Sequence, residues 1–258
     1  MKRYKQIGLW VLGLALLIYL LQFPVEKTEM AWDTWSLPLS GTTIVIDPGH
    51  GGPDGGAVGS DGTEEKEISL DISLFVRDYL QQGGATVHLT REEDTDLAAE
   101  HTKGLSNRKS EDIRNRLAFI EEKDPDLFIT IHLNAIPSPK WSGAQTFYYP
   151  KYDESKHLAE VIQAEVIRNL ENTTREALPI QGVYLLKHAE VPSAIVEVGF
   201  LSNATELELL KDKDYQRKMA ASIYNGILRF QTEEPEELSL FRFFSLKNES
   251  NRNGLEKC

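Results

Sequence analysis

Two histidines, a glutamate and an arginine each follow an apolar run, which is where buried strands of an α/β sheet deliver side chains to a crevice. Ile44-Val45-Ile46-Asp47-Pro48 leads into Gly49-His50-Gly51-Gly52-Pro53-Asp54-Gly55-Gly56, a loop that presents an imidazole between two carboxylates. Leu127-Phe128-Ile129-Thr130-Ile131 ends in His132-Leu133-Asn134-Ala135, and Ala194-Ile195-Val196 ends in Glu197-Val198-Gly199. A fourth run, residues 85–90, ends in Arg91. If these strands are parallel neighbours, His50, His132, Glu197 and Arg91 share one crevice. A lone histidine at a strand end is ordinarily a hydrogen-bonded cap, but four such residues together favour a site. Two imidazoles call for one more ligand, since a catalytic zinc uses three protein ligands and keeps a fourth position open. Glu65 is the candidate. It lies in the first turn of the helix after the loop, where the macrodipole favours any carboxylate, and Glu64 and Glu67 share that setting. Spacing leaves the choice open.

The glycine loop is not a phosphate cradle. A G-x-G-x-x-G pattern beginning at Gly49 would require glycine at position 54, which is Asp54. Pro53 interrupts the helix start such a loop needs, and no Gly-Lys-Ser/Thr follows. A serine nucleophile is disfavoured too, because the chain has no G-x-S-x-G elbow. His88, His101, His157 and His188 fall in strand, helix or loop contexts without partners and are not expected to bind metal.

Strands alternating with amphipathic helices predict an α/β fold: a single three-layer domain whose largely parallel or mixed sheet is flanked by helices. One helix is expected from about Glu64 to Gln82, burying Ile68, Ile72, Phe75, Val76 and Tyr79 and stopping at Gly83-Gly84. Others are expected over about 110–122, 153–172 and 214–230. Asn203-Ala204-Thr205-Glu206 reads as a capping box opening a short helix, so Asn203 is a cap and not a substrate contact. The catalytic domain spans 42–231, after a segment at 1–23 and a linker at 24–41, and before a polar tail at 232–258.

The formal net charge of −12 argues against nucleic acid as a partner, which needs a basic face. The only cysteine is Cys258, so no disulfide forms within the chain and a thiolate metal site is disfavoured. Residues 7–23 form an uncharged run of about 17 residues behind Lys2, Arg3 and Lys5, at the lower limit of a membrane span and also fitting a signal peptide. Either reading exports the domain across the cytoplasmic membrane.

Residues 47–56, Glu65-Lys66, residues 131–135 and Glu197-Val198-Gly199-Phe200-Leu201-Ser202-Asn203 together resemble the signature blocks of the zinc-dependent N-acetylmuramoyl-L-alanine amidases. The similarity runs in order from about Gly41 to Phe230. It implies one Zn2+ held by His50, Glu65 and His132, with Glu197 as the catalytic carboxylate outside the metal's ligands. It also implies peptidoglycan, glycan strands bearing stem peptides, as the substrate. Arg91 and Arg116 match recurrent arginines of the family and, with Asn134, are candidate substrate contacts. Thr130 stands where the family usually has serine, and no wall-binding module is evident, so a helper protein or the membrane anchor is an expected partner. Within the family the chain is most similar to members acting on the spore cortex of endospore-forming bacteria. Two other readings compete: another zinc peptidoglycan hydrolase, such as a carboxypeptidase or deacetylase, and a non-catalytic wall-binding or activator protein.

Overall fold

Alternation along the central strands divides the core into two faces. In β1 (Thr43–Pro48), Ile44 and Ile46 enter one apolar cluster and Val45 the other. In β3 (Leu127–Asn134), Leu127, Ile129 and Ile131 go to the first and Phe128 to the second. In β6 (Ser193–Phe200), Ala194, Val196 and Val198 separate from Ile195 in the same way. A two-residue period with both faces apolar requires helices on both sides of the sheet. The computed structural model, which describes residues 8, 10–14, 16, 17, 19 and 37–233, supplies them. The larger cluster packs α1 (Glu65–Gln82), α3 (Asp153–Leu170) and α6 (Lys213–Thr232) on one face. The smaller packs α2 (Leu105–Lys123) and α4 (Tyr184–His188) on the other.

The six-stranded sheet runs β2-β1-β3-β6-β4-β5, where β2 is Thr86–Leu89, β4 is Gln145–Tyr148 and β5 is Leu178–Pro179. β2, β1, β3 and β6 are parallel; β4 is antiparallel to β6, and β5 is parallel to β4. The sheet is therefore mixed. From β1 the chain steps outward to β2 and then returns to the other side of β1 as β3. That reversal makes the carboxyl ends of β1 and β3 the crevice where open α/β sheets bind ligands. His50 follows β1 and His132 lies near the end of β3.

Most helix ends fall where the sequence places them. Asn203 caps α5 (Ala204–Lys211), accepting from the backbone N–H of Thr205 and Glu206 at 3.1 Å. The exception is α2, which starts five residues before the expected position 110. Its first residues, Leu105 to Asn107, are exposed, so no apolar period marks that turn. β4, β5 and α4 are additions to the expected element set.

Ahead of β1, Leu39 is buried and its N–H donates to Gly83 O at 2.9 Å, tying the end of the expected linker to the end of α1. The rest of that linker and nearly all of the polar tail lie outside the described residues. In the amino-terminal segment the described residues are helical. Among the described residues no helix is long and apolar enough to cross a membrane.

Candidate active site

The loop bearing His50 is held in place by two buried arginines. Arg116, on α2, donates from Nη1 to Pro48 O at 2.8 Å and from Nη2 to His50 O at 2.6 Å. Arg91, just past β2, donates from Nη2 to Gly49 O at 2.9 Å and from Nε to Pro48 O at 3.1 Å. Three consecutive carbonyls are thus fixed, and His50 is kept at φ 62°, a left-handed conformation costing a non-glycine residue about 1–3 kcal/mol. At 3% and 2% exposure, Arg91 and Arg116 lie beneath the loop and not on the cleft surface where a substrate contact was expected. Lys66 anchors the loop's far side, donating to Gly52 O at 2.8 Å and to Asp94 at 2.9 Å.

Below the loop, Asp47 organises a buried polar knot. Its Oδ1 accepts from Thr90 Oγ1 at 2.6 Å and Arg116 Nη1 at 2.7 Å, and its Oδ2 accepts from Thr130 Oγ1 at 2.7 Å. The hydroxyl at position 130 is what this contact needs, and threonine supplies it as serine would. Burial pushes the Asp47 carboxyl up, but the Arg116 guanidinium and the two hydroxyls outweigh it and hold the group down at about 2. Asp47 therefore contributes stability that is fully present above its ordinary value near 3.8 and is lost as pH falls through about 2. Arg116→Met strands the Asp47 charge, and we expect it to cost about 3–5 kcal/mol, as removal of one partner of a buried ion pair does. Its acid-unfolding limb should also move to higher pH. Urea titrations across pH 2–7 read both.

The three expected metal ligands come together. One donor atom from each of His50, Glu65 and His132 lies within 4.8 Å of the others, a group that could hold a metal ion. Glu65 is the first residue of α1 and is 2% exposed. Its Oε1 accepts from Leu133 N at 2.8 Å and lies 2.9 Å from His132 Nδ1. Its Oε2 accepts from Ala57 N at 2.7 Å and lies 3.2 Å from His50 Nε2. Of the three first-turn candidates, Glu65 is the one that joins the group. Burial raises its carboxyl, yet hydrogen bonds and charge from both histidines prevail and hold it well below the carboxylate range. Burial works against the His50 imidazolium, but Asp54 and Glu65 raise it to about 9.

Asp54 is a residue the sequence reading did not assign. Its Oδ2 lies 2.8 Å from His50 Nδ1 and 2.9 Å from Lys109 Nζ, so the ring is held from the side away from Glu65. Glycine is required where His50, Glu65 and His132 crowd the backbone. A Cβ on Gly49 would come within 2.5 Å of the His132 ring, and one on Gly56 within 2.6 Å of both Glu65 Oε2 and His50 Cδ2.

Glu197 pairs with His132 in register between β3 and β6, so the two are neighbours across the sheet. Its Oε2 is buried and has no hydrogen-bond partner. Burial pushes its carboxyl up; the His132 charge pulls against this and Glu65 adds to it. Asn134, at the end of β3, lines a cavity with Glu197. The site thus combines three side chains that could hold a metal ion with an adjacent carboxyl whose pKa burial raises.

Comparison with known proteins gives the class. The family model described as N-acetylmuramoyl-L-alanine amidase matches residues 44–229. A germination-specific N-acetylmuramoyl-L-alanine amidase of Bacillus subtilis is 54% identical over 225 residues, covering 87% of this chain and 94% of that protein. The CwlD amidase from Clostridioides difficile, solved in complex with the GerS lipoprotein, matches with a TM-score of 0.73 at 41% identity, covering 75% of this chain and all of that one. The amidase AmiC2 of Nostoc punctiforme matches at TM-score 0.64 and 30% identity, covering 74% of this chain and 98% of that one. The chain belongs to the N-acetylmuramoyl-L-alanine amidase family. It hydrolyses the amide between N-acetylmuramic acid and L-alanine in peptidoglycan, which sets aside the carboxypeptidase, deacetylase and non-catalytic readings.

Proposed function

We propose that His50, Glu65 and His132 hold one zinc ion and that Glu197 carries the proton during amide hydrolysis. The observation behind this reading is the convergence of three donor atoms within 4.8 Å, beside a buried and unpartnered Glu197 Oε2. The donor set fits the metal: two imidazoles and one carboxylate suit zinc better than the all-oxygen sites of magnesium or calcium. Asp54 supplies the outer carboxylate that commonly orients a metal-bound histidine.

A bound zinc supplies Lewis acidity, polarising a carbonyl and making water more acidic. Glu197 then does the proton work. As the water oxygen adds to the lactyl carbonyl carbon, Glu197 Oε2 accepts a proton; as the C–N bond breaks, it returns that proton to the alanine nitrogen. The proton taken up in the first step is the one given up in the second, so one carboxylate serves as base and then as acid. The products are a muramic lactyl carboxylate and a stem peptide with a free alanine amine. We read Arg91 and Arg116 as positioning residues for the His50 loop, and Asn134 as a substrate contact.

The substrate we infer is spore-cortex peptidoglycan, where removal of the stem peptide is a step towards muramic-δ-lactam. Residues 1–23 act in this reading as signal peptide or anchor, carrying the domain outside the cytoplasmic membrane and, in a spore former, into the forespore intermembrane space. The 54% identity to a germination-specific amidase supports this assignment. A helper protein is a further expected partner, supported by the GerS lipoprotein bound to the Clostridioides difficile relative. Deleting the gene in its host tests the cortex role. Spores lacking muramic-δ-lactam are the expected result, and normal lactam content would reject it.

A further inference from the structure

Beyond Glu197, on the side away from the metal ligands, the same row of the sheet continues. Glu197 pairs with His132 on β3 and with Gln145 on β4, so the three are consecutive across the strands. Gln145 Oε1 accepts from Arg175 Nη1 at 3.0 Å, while its Nε2 donates to Glu176 O at 2.9 Å and so fixes which end of the amide faces the arginine. The Arg175 guanidinium carbon also lies over two rings, 5.3 Å from the Trp141 centroid and 5.2 Å from that of Phe200, within cation–π range. These residues line, with Glu197 and Asn134, a cavity of about 240 Å³. That is smaller than the roughly 300–1,000 Å³ of clefts that enclose a whole drug-sized ligand, so it suits one part of a larger substrate.

Arg175 is a cation prepared for an anion. It takes part in none of the ion pairs among the described residues. One of its five guanidinium N–H donors is engaged by a side-chain acceptor, and the two rings offer it cation–π contacts. Its electrostatic neighbour Glu206 is already engaged, with one oxygen accepting from Gly143 N at 2.8 Å and the other from Phe200 N at 2.9 Å. Those two bonds join the loop bearing Trp141 to the end of β6, making the pocket a built feature of the fold.

We propose that Arg175 is a specificity residue that binds a carboxylate of the stem peptide. This rests on reading Glu197 as the carboxyl at the scissile amide. With the metal ligands on one side of Glu197 and Arg175 on the other, the pocket receives a group a short distance from that bond. On the sugar side the lactyl group is amide-linked and uncharged. On the peptide side, the residue after alanine is a glutamate continued through its side-chain carboxyl, which leaves a free α-carboxylate close to the cleaved bond. A guanidinium fork matches a carboxylate bidentately and gains far less from a carboxamide.

The test uses full-length, metal-loaded protein and two muropeptides that differ only in this group, α-carboxylate or α-carboxamide. The wild type should favour the carboxylate in kcat/KM on the order of 10- to 100-fold, the span of one charged hydrogen-bonding interaction. Arg175→Gln should bring that ratio close to one, chiefly through KM, and Arg175→Lys should keep the preference at reduced size. Equal turnover of both substrates by the wild type, or an equal loss on both in Arg175→Gln, overturns the proposal. Calorimetric binding to the Glu197→Gln protein of L-alanyl-glutamate capped as its γ-methylamide, and of the same compound with an α-carboxamide, gives a second reading that needs no turnover. A carboxylate preference in binding, lost in the Arg175→Gln double variant, supports the pocket even if the assigned role of Glu197 fails. No preference in binding counts against the pocket whatever the fate of Glu197.

Discussion

Replacing Glu197 by glutamine should leave fold and metal content unchanged and lower turnover by a factor on the order of 10²–10⁴, or more if positioning is lost as well. Glutamine preserves the shape and volume of the side chain but offers no carboxylate to take a proton. The strand beneath it is buried from Ser193 to Val196, so the substitution changes chemistry at the end of a rigid element and not the element itself. A fourth protein ligand would close the position that a catalytic zinc keeps open, which is why Glu197 is assigned outside the metal's ligands. Paired metal analysis and kinetics of the purified variant separate the two roles. Loss of zinc in Glu197→Gln would make it a ligand and return Glu65 to an ordinary first-turn glutamate.

The ligand variants should behave in the opposite way. His132→Ala and Glu65→Ala are expected to lose zinc on dialysis and to lose activity with it, since neither leaves three donors in place. The loss of affinity should exceed the roughly 10–100-fold that follows from removing an outer partner. Asp54→Asn, which alters the group orienting His50 but no ligand, should fall within that smaller range. Competition against a chelator of known affinity reads all three on one scale. Full occupancy in His132→Ala would remove that residue from the site.

The parts of the fold legible in the sequence are those whose environment is uniform along the element. β1, β3 and β6 are buried on both faces and read as apolar runs, and α1, α3 and α6 bury one stripe each at helical spacing. β4 and β5 are four and two residues long, too short for a period to register, and β4 mixes Gln145 and Thr146 with two aromatics. His50 and His132 are legible as candidate ligands because strand ends are local signals, whereas Glu65 shares its first turn with other glutamates and is singled out by the family resemblance and by its contacts with both histidines. The buried arginines were legible as positions but not as roles. Whether Arg116 meets a substrate or holds a backbone depends on Asp47, 69 residues away, and on a loop folded back over it. Arg175 gave no signal at all, because its setting is assembled from residues 141–145 and from Phe200, two segments distant from its own.

The most direct test of the account is the bond that is cut, and its dependence on the bound metal. Intact peptidoglycan digested with the zinc-loaded protein should yield, by mass spectrometry, stem peptides with new amino-terminal alanine and glycan with free lactyl carboxyl groups in equal amounts. Removing the zinc should abolish both products, and restoring it should bring both back. Release of D-alanine or of acetate without new alanine amino termini, or undiminished cleavage by the metal-free protein, would contradict the account.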